Sequence, residues 1–104
     1  MAGMPDSANF ACSLDTTSSR EEIASLYGAL GWRVHRLAWA DYEIICDWAD
    51  LFITAESPIE MHGRVANVDR VGELVVPLRV AGVTFAAECF GPEPSNDLLM
   101  TLRG

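Results

Sequence analysis

Apolar and polar side chains alternate with a period of two along most of the stretch from Trp32 to Val65. A period of two puts successive side chains on opposite faces of a β-strand, so the pattern indicates consecutive strands with one buried face each. The sequence predicts three or four strands from the alternating segments 32–37, 42–48, 51–56 and 59–65, with turns at 39–41 and 57–58. The break near Ala49 and Asp50 fits either a tight hairpin or a bulge in one long strand, and both remain open.

A helix is predicted before this run of strands, over residues 18–30. Ser18 and Glu21 have the spacing of a capping box, in which a hydroxyl and a carboxylate satisfy backbone N–H groups. Gly31 is a typical stop signal. Apolar residues at helical spacing predict the buried stripe: Ile23, Leu26, Tyr27 and Leu30.

A second helix is predicted after the strands, between Asn67 as its cap and Gly82 as its stop. Pro77 lies inside this segment and should kink it, because the proline ring clashes with the carbonyl four residues earlier. The apolar positions at helical spacing are Val71, Leu74, Val75 and Leu78.

Further alternating segments at 8–14, 83–90 and 98–102 complete the predicted elements, with a turn at 91–95. Two helices separated by several strands indicate an α+β fold: an antiparallel sheet of five to seven strands with both helices packed on one face. A ferredoxin-like arrangement is one way to connect these elements.

Length and composition favour a single domain with a flexible tail at residues 1–7 and a folded part at 8–104. The chain has 104 residues, half of them hydrophobic, which suits one core and excludes a disordered chain. No uncharged apolar run is long enough to span a membrane, and the first residues do not resemble a signal peptide. Three cysteines cannot all pair within one chain, so reduced, buried thiols and a cytoplasmic location are expected for Cys12, Cys46 and Cys89.

Motifs of catalysis, metal binding and cofactor binding are missing, so we predict no enzyme and no cofactor. The cysteines are far apart and neither His35 nor His62 has a ligand partner at short spacing. All seven basic residues are arginine, which excludes lysine-based chemistry. Two alternatives remain open: a Cys–His pair formed by the fold, and a pair of carboxylates in a cleft.

The most distinctive feature is an acidic segment at residues 37–63. It holds six of the fifteen carboxylates and no lysine or arginine, in a chain whose net charge is −8. Strand alternation predicts that Asp41, Glu43 and Asp47 share one face, with Glu56 and Glu60 also pointing outward and with Ile45 and Phe52 among them. A negative surface of this kind repels nucleic acid and anionic membranes, and it suits a basic protein partner.

A solvated sheet face kept soluble by its charge would explain the acidic segment without any partner. However, like charges on adjacent strands repel, and apolar residues ringed by charge are typical of an interface. Tyr42, Trp39 and Trp48 lie close by in the sequence. We therefore predict a partner-binding surface made of Asp41, Glu43, Ile45, Asp47, Asp50, Phe52, Glu56 and Glu60.

In size, charge, α+β order and lack of catalytic motifs, the chain resembles the small acidic immunity proteins that neutralise bacterial nuclease or contact-dependent-inhibition toxins. The acidic segment from Asp41 to Asp50 carries this resemblance. It implies a monomer or weak dimer that binds a cationic toxin domain. The alternative is a small homodimeric ligand-binding or regulatory domain that associates through its sheet.

Overall fold

The computed structural model describes residues 7–91 and 97–104. Its strands are β1 (Ala8–Asp15), β2 (Arg33–Arg36), β3 (Tyr42–Cys46), β4 (Ala49–Thr54), β5 (Ile59–Val65), β6 (Thr84–Phe90) and β7 (Leu98–Arg103). Its helices are α1 (Arg20–Gly28), α2 (Val71–Leu74) and α3 (Val76–Val80).

The seven strands form one antiparallel sheet in the order β2-β3-β4-β5-β1-β6-β7. The first strand is central, between β5 and β6. These two neighbours are parallel to each other and are joined through α2 and α3, which makes a split β-α-β unit of the ferredoxin-like kind. The predicted α+β class and antiparallel sheet are confirmed, while β2, β3 and β7 extend the sheet beyond a four-stranded ferredoxin-like core.

The core lies between one face of the sheet and the helices. Helix α1 packs on β2, β3 and β4, α3 packs on β6, and α1 and α3 contact each other. The alternation of the strands points one set of side chains into this layer and the other set away from it. The largest fully buried side chains are Tyr27, Phe10, Leu14, Ile23, Ile44, Leu51, Ile53, Met61, Leu74, Leu78, Val65 and Val71.

The N-cap of helix α1 lies one residue later than predicted. Ser19, not Ser18, is the N-cap, and it exchanges capping-box hydrogen bonds with Glu22. The hydroxyl of Thr16 accepts from the N–H of Ser18, which keeps Ser18 in the preceding turn. The helix ends at Gly28, so Leu30 leaves the predicted buried stripe and is 65% exposed.

The predicted kink in the second helical segment is confirmed. The Asn67 side chain accepts from the N–H of Asp69 and caps a short 3₁₀ turn that leads into α2. The helix breaks at Val75, and Pro77 then lies in the first turn of α3, where its missing N–H needs no partner. Helices α1 and α2 are tied together by the buried Tyr27 hydroxyl, which donates to the carbonyl of Leu74.

The break near Ala49 is a tight hairpin, not a bulge. Cys46 pairs with Ala49 across a two-residue turn. Trp48, in this turn, lies edge-on to Trp32 with a centroid distance of 6.1 Å, and the Arg70 guanidinium lies 4.4 Å from its ring centroid. The turn is therefore packed against the helical layer.

The expected burial is confirmed for two of the three cysteines. Cys12 and Cys89 are buried and Cys46 is half-buried, and all three are free. Burial, with a smaller effect from Glu60, raises the pKa of Cys12 to about 12, and burial also raises the pKa of Cys89. Both thiols therefore stay protonated near neutral pH.

Two predictions at the ends of the elements fall partly or wholly outside the described residues. Ser7, in the predicted flexible tail, is 8% exposed and leads directly into β1. Residues 1–6 lie outside the described part. The predicted turn at 91–95 lies outside it from residue 92 onward.

Candidate protein-interaction surface

The open face of the sheet is the face turned away from the helices. The strand registers line its side chains up in rows that cross the sheet. One row holds Arg33, Ile45, Asp50, Arg64, Asn9 and Phe90; the next holds His35, Glu43, Phe52, His62, Ala11, Glu88 and Thr101; a third holds Thr54, Glu60, Ser13, Ala86 and Arg103. This face mixes apolar, acidic and basic groups.

Two carboxyl groups meet near the middle of the open face. Glu43 on β3 and Asp50 on β4 belong to adjacent rows. A hydrogen bond with Asp50 raises the pKa of Glu43, burial and the negative charge of Asp50 raise it further, and His35 opposes the shift. Among the described residues no N–H or O–H group is placed to donate to the buried Oδ1 of Asp50. When Glu43 is protonated, its carboxyl O–H is the donor for this oxygen, and the pair then shares one proton.

Phe52 and His62 form a stacked aromatic pair at the centre of the open face. They face each other across β4 and β5, with ring centroids 5.9 Å apart and an interplanar angle of 30°. Beside them lies a shallow groove of about 520 Å³, lined in part by Asp50, Gly63 and Arg64. A Cβ at Gly63 would lie 2.0 Å from the carbonyl oxygen of Asp50, so only glycine allows β4 and β5 to approach this closely.

Five of the eight residues predicted for the partner-binding surface lie on the open face. They are Glu43, Ile45, Asp50, Phe52 and Glu60. Glu60 is exposed and accepts a hydrogen bond from the Ser13 hydroxyl at 3.3 Å. Ile45 and Phe52 are half-buried, so part of each apolar side chain is accessible among the charged groups.

The prediction that Asp41, Glu43 and Asp47 share a face is wrong. Strand β3 runs only from Tyr42 to Cys46, so alternation does not fix the direction of the residue on either side. Asp41 binds the Arg20 guanidinium at 2.8 Å, and Glu56 binds the same group at 3.3 Å, at the start of α1. Asp47 is exposed in the β3–β4 turn.

The neighbouring aromatic residues are also distributed differently from the prediction. Tyr42 is buried, and Trp48 packs against Trp32 and Arg70. Only Trp39 is strongly exposed, at 89%, and it lies in the loop between β2 and β3.

The sequence interpretation missed the basic groups on the open face. Arg64 lies directly opposite Asp50, and His35 lies opposite Glu43 with 3.7 Å between its Nδ1 and a carboxylate oxygen. His35 precedes the acidic segment and Arg64 follows it in sequence. Only the pairing register of the strands brings each of them beside a carboxylate. A hairpin register drawn for residues 49–65 would have revealed the Arg64–Asp50 pair.

Within residues 7–91 and 97–104, no helix is long and apolar enough to cross a membrane. Comparison with known proteins gives no match: no family model, no curated protein and no solved structure resembles the chain significantly.

Proposed function

We propose that this chain is a cytoplasmic, non-enzymatic protein-binding module that contacts its partner through the open face of the sheet. The observation that supports this proposal most directly is the uncovered face itself, with Phe52 and His62 at its centre and charged groups around them. Apolar centres with polar rims are typical of protein interfaces.

The size of the open face suits this role. Seven strands about 4.8 Å apart and about 20 Å long present roughly 600 Å². A standard interface buries about 800 Å² on each partner. The open face and its rim therefore provide enough surface for one specific complex.

Charge indicates which partner suits the face. The open face carries five carboxylates (Asp15, Glu43, Asp50, Glu60 and Glu88) and three arginines (Arg33, Arg64 and Arg103). The face is modestly negative, and the whole chain carries −8. A basic protein would be attracted over a long range by the net charge and oriented at close range by the local pairs.

In its most specific form, the proposal is an immunity protein that neutralises a cationic bacterial toxin domain. The net charge, the small size and the resemblance to acidic immunity proteins support it. The carboxylates do not form a continuous row that imitates a nucleic-acid backbone, because Arg20 binds two of them away from the open face. We therefore propose binding through a mixed surface instead of imitation of phosphates.

The test uses the protein encoded by the adjacent gene as the probe. We expect a one-to-one complex in native mass spectrometry, and protection of cells that express the neighbour's toxic domain. Glu43→Lys with Glu60→Lys should weaken binding at least tenfold. The matched control is Glu21→Lys with Asp69→Lys, which changes the net charge equally on the helical side and should alter binding less than twofold.

Two results would refute the proposal for this pair. One is no complex with the neighbour at low salt. The other is a complex that both double variants weaken equally, which would indicate net charge alone and no specific face.

A homodimeric regulatory domain is the second candidate. The observation in its favour is that the open face carries both charges, so that a two-fold-related copy could place Arg64 against Glu43 and Asp50. Light scattering that shows a dimer insensitive to salt, and lost in Phe52→Ala, would favour this candidate.

A further inference from the structure

The β2 edge of the sheet is unlike the open face in shape and in charge. Strand β2 is the last strand on its side of the sheet, and all four of its residues are exposed. We propose that this edge receives an extended, acidic segment of a partner protein, which pairs with β2 as an eighth strand. This inference goes beyond the proposed function and does not depend on it.

The backbone of β2 offers unpaired hydrogen-bonding groups. The N–H of Leu37 donates to the carbonyl of Asp41 at 2.8 Å across the hairpin. In an antiparallel ladder the direction of these groups alternates, so His35 and Arg33 bond to β3, while the N–H groups of Val34 and Arg36 point away from the sheet. These outward groups are the ones that an added strand would use.

Charge at this edge selects an acidic segment. Among the described residues, neither Arg33 nor Arg36 has a carboxylate oxygen within 4.0 Å of its guanidinium. Arg33 lies on the open face and Arg36 on the helical face, because their partners in the register are Ile45 and Tyr42. An incoming strand with carboxylates on both of its faces would meet one arginine on each side.

The same charge argues against a second copy of this chain. Antiparallel pairing of β2 with itself would place Arg33 and Arg36 of both copies along one seam, although neither guanidinium has a carboxylate of the described residues within 4.0 Å. Repulsion among these four guanidinium groups would disfavour the pairing. The edge is therefore better matched by a partner of opposite charge.

Apolar contacts would add to the backbone pairing. Val34 and Leu37 are each 38% exposed, and Trp39 is 89% exposed three residues beyond the end of β2. The loop holds Trp39 at φ 63° and Ala40 at φ 60°, the left-handed region that few residues other than glycine adopt. A strained loop that keeps an indole in solvent is an independent indication of a contact site.

Two synthetic peptides test the proposal on the full chain. The probe is a hexapeptide, blocked at both ends, that repeats valine-glutamate-glutamate, so that both faces of the extended peptide carry glutamate. The control peptide has lysine in place of glutamate. Titration into ¹⁵N-labelled protein should shift the amide signals of Val34 and Arg36 and slow their hydrogen exchange. The lysine peptide should leave these signals unchanged.

Variants identify the groups responsible. Arg33→Glu should weaken binding of the acidic peptide at least fivefold, and Trp39→Ala at least threefold. The matched control is Arg103→Glu on β7, the opposite edge of the sheet, which should change binding less than twofold. Glu43→Lys with Glu60→Lys should also leave peptide binding intact, so failure here is distinguishable from failure of the open-face proposal.

Three outcomes would overturn the inference. The first is an equal response to both peptides, and the second is an equal shift of the β7 amides, which would indicate unselective strand pairing. The third is self-association in light scattering that Arg33→Glu abolishes, because the occupant would then be a second copy.

Discussion

Glu43 is a carboxyl group of the open face whose pKa its surroundings raise. Its carboxyl group lies against Asp50, whose Oδ1 is buried without another donor among the described residues. A carboxyl that binds its proton more tightly in the folded protein gives stability at low pH that is lost as the pH rises through the folded-state pKa. Near neutral pH, the ionised pair therefore places two like charges side by side.

Glu43→Gln tests this interpretation. The amide of glutamine donates to Asp50 without a titrating proton, so we expect the free energy of unfolding at pH 7 to rise by about 0.5–1 kcal/mol. Urea denaturation between pH 4 and pH 8 should show a weaker fall of stability with pH than in the wild type. The control Glu60→Gln should differ from wild type by less than about 0.5 kcal/mol; a destabilised Glu43→Gln variant would contradict a shared proton.

Gly63 is a second single residue on which the sheet depends. Because an added Cβ would lie 2.0 Å from the Asp50 carbonyl oxygen, Gly63→Ala must push β4 and β5 apart. We expect a loss of about 3 kcal/mol of unfolding free energy in urea denaturation.

Gly72→Ala in α2 is the matched control for Gly63. No atom lies within 4 Å of a Cβ built there, and alanine favours a helix, so a gain of about 0.5–1 kcal/mol is expected. Similar effects of the two substitutions would show that the close approach at Gly63 is relieved at little cost.

At the scale of elements, the β2–β3 hairpin combines a strained turn with an exposed edge. Its loop is closed by hydrogen bonds from Leu37 N–H to the Asp41 carbonyl and from Asp41 N–H to the Ala38 carbonyl. Its two central residues, Trp39 and Ala40, have positive φ, a requirement that Asn-Gly usually meets in short hairpins. The turn is therefore less stable than the same turn would be with glycine at these positions.

Ala40→Gly should relieve part of this strain. We expect the free energy of unfolding to rise by about 1 kcal/mol, since left-handed backbone is unfavourable for residues with a Cβ. Ala29→Gly, at a right-handed position with φ −65°, is the control and should lower stability by about 0.5–1 kcal/mol. Thermal denaturation of both variants provides the measurement, and a loss of stability in Ala40→Gly would contradict a strained turn.

The elements were predictable from the sequence, whereas their side-chain neighbours were not. Alternation and helical spacing locate the strands and helices because both patterns are local. The side chains of Asp41 and Glu56 are held by ion pairs with Arg20, which is distant in sequence and contacts both from the start of α1. The placement of Arg64 opposite Asp50 depends on the register of β4 and β5. Long-range pairs of this kind leave no periodic signal.

At the scale of the whole molecule, negative charge is spread over both layers. Carboxylates lie on the open face, in the turns and at the start of α1, and the net charge is −8. Repulsion among these negative charges destabilises the folded state. The few ion pairs, of which Arg20 makes two, only partly offset it.

Salt should therefore stabilise the molecule at neutral pH. Between 0.01 M and 0.3 M sodium chloride we expect the melting temperature to rise by about 5 °C, because ions screen the repulsion. At pH 4.5, close to the isoelectric point, the effect should nearly vanish, which serves as the control. A melting temperature that falls with salt at pH 7 would mean that ion pairs outweigh the repulsion.

The central position of β1 in the sheet also affects how the chain folds during translation. Its two neighbours in the sheet are β5 and β6, which end at Val65 and Phe90. When residues up to 54 have emerged, β1 has both edges bare, while the β2–β4 meander is already available for pairing. Both edges of β1 are covered only after β5 and β6 have been synthesised, so during translation this apolar strand must be kept from premature association.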